Sequence, residues 1–217
     1  MQIELKRIEY SARLSEETLA FSADIYIDGQ KAGYASNNGQ GGSTDYHWYD
    51  EKGRLLIQSA EKYCKSLPAE VNEDIVVDGK PLTIEMTLET FIDNLMGKHL
   101  MDKEMKAFQR KMYKETKTGI VFGIENQQYK VVKFVNRTIE DILSKPGGAE
   151  LLKQTIIKNV IPKLLANPGY KILNNNIPKE IIELAMQQMQ ISQLDAGKKR
   201  VIKPPGSANK RGPAKGK

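Results

Sequence analysis

FSADIYIDGQKAGYAS, residues 21–36, is the stretch that decides the fold class. Phe21, Ala23, Ile25 and Ile27 alternate with Ser22, Asp24 and Tyr26, the two-residue period of a strand with one buried face. Asp28-Gly29 follows. A tight type I′ turn needs positive φ at both central residues, and glycine adopts it without steric cost. Two further hairpins are expected on the same logic. Asp78-Gly79 separates DIVV from KPLTIEM, and Glu125-Asn126-Gln127 separates TGIVFGI from YKVVKFV. The last two strands are apolar on both faces, which points to a central position.

Each hairpin precedes a helical pattern. Asp50 is placed to cap a helix over about 51–67, with Leu56, Ala60, Tyr63, Cys64 and Leu67 on one face and Pro68 beyond it. Thr87 opens a longer one, whose expected apolar stripe is Phe91, Ile92, Leu95, Met96, Met101, Met105, Phe108 and Met112. Thr138 with Asp141 three residues on reads as a capping box for a third. A strand over residues 2–10 precedes them all. After Gly148 the pattern turns purely helical, punctuated by Pro162, Pro168-Gly169 and Pro178. The last helix is expected over about 178–195, ended by Gly197. The chain therefore reads as α+β: a largely antiparallel sheet built from β-hairpin–helix units, followed by a helical C-terminal part and a disordered basic tail. The expected divisions are an α+β domain over 1–147, helices packed on it over 148–196, and the tail over 197–217.

A chain of 217 residues, 40% hydrophobic and 28% charged, has the composition of an ordinary globular protein. No run has the length of a membrane helix, the N-terminus does not read as a signal peptide, and no membrane partner is expected. A lone cysteine, Cys64, excludes an intramolecular disulfide framework and fits a reducing, cytoplasmic compartment.

The formal charge is +6. From Gly197 the chain reads GKKRVIKPPGSANKRGPAKGK, with Lys198, Lys199, Arg200, Lys203, Lys210, Arg211, Lys215 and Lys217 and no acid. Without those eight, 25 basic residues face 27 acidic ones, so the body reads as nearly neutral and the basicity as an appendage. Lys103, Lys106, Arg110 and Lys114 add a basic stripe on the long helix, nearly opposite its methionines. Such charge favours phosphates through counterion release, so DNA or RNA is the expected partner. No zinc finger, helix-turn-helix or aromatic RNA-binding motif is present, and weak sequence selectivity follows.

ASNNGQGGSTDYHWYD, residues 35–50, is the other unusual stretch. Its glycines fit neither phosphate-binding pattern: no lysine precedes Ser43, and Thr44 stands where a dinucleotide fingerprint needs glycine. Three readings remain open. It is a recognition loop for a host or phage protein, formed by Asn38, Gly39, Gly41, Gly42, Asp45, His47 and Trp48; or a structural connection; or a metal-dependent catalytic site at Asp45, His47 and Asp50. No catalytic residue set is assigned and no cofactor is expected. His99 is expected to border the core, and Cys64 to be buried without a base beside it.

The N-terminal segment FSADIYIDGQKAGYASNNGQGGSTDYHWYD resembles small uncharacterised proteins of bacterial phages and mobile elements, over roughly residues 1–67. The resemblance implies a bacterial or phage cytoplasmic setting, with a role against host systems or in element maintenance. It carries no activity and no site residues. The leading expectation is a non-enzymatic accessory protein that associates with nucleic acid. A protein-binding inhibitor or adaptor using loop 37–49 is the contrasting one, and a metal-dependent enzyme the third.

Overall fold

The structure, a computed structural model, describes the backbone of residues 1–201 and the side chains of residues 1–191. The fold is α+β, and the chain divides into two compact units, Met1–Glu104 and Met105–Lys217.

In the first unit β1 (Ile3–Tyr10), β2 (Phe21–Ile27), β3 (Gln30–Asn37) and β4 (Asp45–Trp48) form an antiparallel meander in that order. The Asp28-Gly29 turn has φ of 47° and 78°, both positive as its type requires. The alternation along β2 puts Phe21, Ala23, Ile25 and Ile27 on one face, all buried. They pack on Ile57, Ala60 and Cys64 of α1 (Glu51–Lys65) and on Leu88, Ile92 and Met96 from the first turns of α2 (Leu88–Thr118). Each large side chain buried there contributes about 1.5–3 kcal/mol. Asp50 caps α1 as expected, its Oδ1 accepting from the Gly53 N–H at 2.7 Å. Thr87 likewise accepts from the Thr90 N–H at 3.1 Å. Between the helices, β5 (Glu70–Val77) and β6 (Lys80–Ile84) form a separate two-stranded sheet around Asp78-Gly79.

In the second unit β7 (Gly119–Ile124) lies between β8 (Gln128–Lys133) and β9 (Lys171–Ile172). The capping box at Thr138 forms in full and opens α3 (Ile139–Leu143). Then come α4 (Gly148–Thr155), a π-helical stretch (Ile156–Val160), α5 (Ile161–Ala166) and α6 (Lys179–Val201). Pro162 has no N–H to give and its ring crowds the carbonyl four residues back, which accounts for the wide turn before it. Ile120 and Phe122 share one core with Ile139, Ile142, Leu152, Ile156, Val160 and Ile181. Asn174 fastens the segment after β9: its Oδ1 accepts from the Val121 N–H at 2.6 Å, and its Nδ2 donates to the Gly119 carbonyl at 3.0 Å. Asn176 donates to the Thr116 carbonyl at 2.9 Å, satisfying an acceptor that the end of α2 leaves free.

Four expectations change. The strands form three sheets rather than one: β5 pairs only with β6, and its apolar residues Val71, Ile75, Val76 and Val77 stay exposed. Of the strands flanking residues 125–127, β7 is central and buried on both faces, whereas β8 is an edge with alternating burial. The region after Gly148 is not purely helical, since Ile172 pairs with Phe122 in β9. Gly197 does not end the last helix: α6 continues to Val201, as a single glycine costs a helix only about 1 kcal/mol. Lys198, Lys199 and Arg200 therefore stand on helical backbone. Lys203, Lys210, Arg211, Lys215 and Lys217, and the disorder expected of the tail around them, lie outside the described residues.

Candidate functional site

The Gly-rich stretch is the β3–β4 connection. Its register pairs Ser36 with Asp45, Ala35 with Tyr46, Tyr34 with His47 and Gly33 with Trp48. Gly39 holds it down. Its carbonyl accepts from the N–H groups of Glu16, Glu17 and Thr18 at 3.0–3.3 Å. Its φ is +86°, and a Cβ there would stand 2.1 Å from the Leu14 carbonyl oxygen. Asn37 Oδ1 accepts from the Gly39 N–H at 2.8 Å, and the Gly41 N–H reaches Thr18 Oγ1 at 3.3 Å. At the far end Thr44 donates its hydroxyl to Asp93 Oδ1 at 2.6 Å and its N–H to Glu89 Oε1 at 3.1 Å. Burial, then the charge of Glu89, raises the Asp93 pKa. These bonds make the loop a clamp between β1–β2 and α2; Asn38, Gly41 and Gly42 stay exposed.

Asp45 and His47 are exposed on one face of β4, as expected for an extended segment. Asp50 is not with them, because its carboxylate caps α1. The His47 ring lies 5.3 Å from that of Tyr34, which lies 5.8 Å from that of Tyr49. Among the described residues no group of three or more His, Cys, Asp or Glu side chains is placed to hold a metal ion. Trp48 is 52% exposed. Tyr46 turns inward and donates to Glu61 Oε1 at 2.9 Å; burial and that carboxylate push its pKa up to about 12.

The residue that the sequence did not single out on this face is Asp24, only 7% exposed although it alternates with core residues on the outer side of β2. Tyr49 donates to its Oδ1 at 2.7 Å, Lys31 Nζ stands 3.2 Å from its Oδ2, and Arg7 pairs with the same oxygen. Burial opposes the charge, but the hydrogen bonds from Tyr49, Arg7 and Lys31 prevail and hold the carboxyl below its ordinary value. Arg7 sits at φ 49° within a register shift of β1, a backbone state uncommon outside glycine. No sequence pattern announces such a bulge.

On α2 the basic stripe is where the spacing puts it. Lys103, Lys106, Arg110 and Lys114 are exposed, and Lys117 continues the line. At 3.6 residues per turn these five fall within roughly 80° of arc. None of them forms an ion pair with a described acidic residue. The methionines behave differently from expectation: Met101 is 72% exposed and Met105 is exposed too, while Phe108 and Met112 are half-buried. Leu88, Ile92 and Met96 face the first unit's core, and Phe108 packs edge-on against Tyr129 at 5.2 Å. His99 is exposed rather than bordering the core. Cys64 is fully buried, and burial raises its pKa, leaving an inert thiol.

Charge divides with the units. Residues 1–104 hold 11 basic and 19 acidic side chains, and residues 105–217 hold 22 and eight, completing the 33 and 27 of the whole chain. The near-neutral body is thus a cancellation: residues 105–196 alone carry 14 basic against eight acidic residues. The basicity is not confined to the tail. No protein-family model, curated protein or solved structure matches the chain.

Proposed function

We propose that this is a non-enzymatic accessory protein that associates with nucleic acid through its second unit, α2's basic stripe and the C-terminal basic segment acting together. The observation that carries the reading is the row of exposed cations Lys106, Arg110, Lys114 and Lys117 on α2, unpaired among the described residues, within a unit whose charge is strongly positive. Cations already held by carboxylates release no counterions when a phosphate arrives; free ones do. Binding of this kind is weakly sequence-selective and salt-sensitive. The phage or mobile-element setting rests on the resemblance of residues 1–67. The test is a salt series with single- and double-stranded DNA and RNA, using the full chain and a truncation after Val201. Removing the five positive charges beyond it should lower the duplex salt slope by up to about 4.5 and leave residual binding from α2. Absence of binding at moderate salt overturns the reading.

A second reading is a protein-binding module in the acidic first unit. The open sheet face favours it, since Tyr34 and Tyr49 are exposed beside the Asp24 cluster. A host or phage protein captured by the full chain and lost with Tyr34→Ala, while nucleic-acid binding persists, would support it.

A further inference from the structure

Within the basic stripe stands one aromatic ring. Tyr113 is 55% exposed, whereas Phe108, Phe134, Tyr129 and Tyr170 are half-buried and Phe122 is fully buried, so Tyr113 is the exposed aromatic among the described residues of the second unit. Helical spacing puts Arg110 one turn before it and Lys117 one turn after it, with Lys106 two turns before, all on nearly the same line. Lys117 Nζ lies 5.5 Å from the Tyr113 ring centroid.

An exposed aromatic among free cations is an arrangement with a definite chemical preference. Duplex bases are stacked on each other and offer no free face to a ring on a convex helix. A single strand offers both a face and a phosphate on either side of it. We infer that α2 binds single-stranded nucleic acid, one unpaired base stacking on Tyr113 while Lys106, Arg110 and Lys117 hold the flanking phosphates. The stretch from Lys106 to Lys117 rises about 16 Å, the length of roughly five phosphate steps of a stacked strand. This rests on the proposed nucleic-acid reading and adds the class of strand and the residue that selects it.

The experiment measures binding of the full chain to labelled 12-nucleotide oligo(dT), oligo(U) and a 12-base-pair duplex across a salt series. Three variants accompany it: Tyr113→Ala, Tyr113→Phe, and the triple Lys106→Ala, Arg110→Ala, Lys117→Ala. The expected result is tighter binding of single strands than of duplex. Tyr113→Ala should weaken single-strand binding about tenfold with an unchanged salt slope, and Tyr113→Phe should keep it. The triple should lower the slope by about 2. Equal or stronger duplex binding overturns the inference, as does a Tyr113→Ala protein that binds like the parent or a Tyr113→Phe protein as weak as Tyr113→Ala. In those cases binding through cations stands. If no nucleic acid binds at moderate salt, the broader reading falls as well.

Discussion

The two units have similar means of folding and opposite electrical character. Each buries an antiparallel sheet under helices, the first through Ile25, Ile27, Ile57 and Ile92, the second through Ile120, Phe122, Leu152 and Ile156. Yet the first is acidic: Arg7 and Lys31 stand on Asp24, Lys6 on Glu4 and Arg54 on Glu51, and its other cations are spread over several elements. The second is basic and leaves a row of cations free on α2. A net charge of +6 describes neither. What matters for a polyanion is which cations are available and whether they lie on one surface, and the row on α2 meets both conditions.

The largest effect should come from testing that contrast directly. Lys106→Glu with Arg110→Glu and Lys114→Glu should weaken nucleic-acid binding at least a hundredfold at low salt. The matched triple on the first unit, Lys52→Glu with Lys62→Glu and Lys65→Glu, should change it little; equal losses would mean that net charge alone matters. Next, the cores can be damaged one at a time. Phe122→Ala should cost about 3–5 kcal/mol and Ile25→Ala about 2–5 kcal/mol. Hydrogen exchange should show protection falling only in the unit that carries the change, and a loss spread over both would make the chain one cooperative body.

Smaller still is the pH response of the ion cluster on the first unit. The folded-state pKa of Asp24 is lowered, so its stabilisation is present above the unfolded value of about 3.9 and is lost as pH falls through the lower folded value. Asp24→Asn should cost about 1–2 kcal/mol at pH 7, at the low end for charged hydrogen bonds because Arg7 is largely solvated. It should also flatten the stability profile below about pH 4, where the second unit's profile should stay as it was. An unchanged acid limb would assign the acid sensitivity to other carboxylates.

What the sequence determined by itself is local. Asp28-Gly29 and Asp78-Gly79 fix their turns through backbone sterics, Asp50 and Thr138 start helices by accepting from N–H groups three residues on, and the alternation along residues 21–27 chooses the buried face. Each of these needs only neighbours along the chain, and so does the position of the α2 cations, since helical spacing alone puts them in a row. Tertiary structure decided what depends on distant partners. Ile172 becomes a strand only because Phe122 has an open edge, and Asn174 becomes a fastening only because Val121 and Gly119 present a donor and an acceptor. Asp24 is buried only because the bulge at Arg7, the turn into Lys31 and the end of β4 at Tyr49 converge on it. The methionines of α2 carried a helical period as regular as a core stripe, but period describes a face and not what covers it. Met101 is exposed while Met96 is buried, and that difference lies in the packing rather than in the order of the residues.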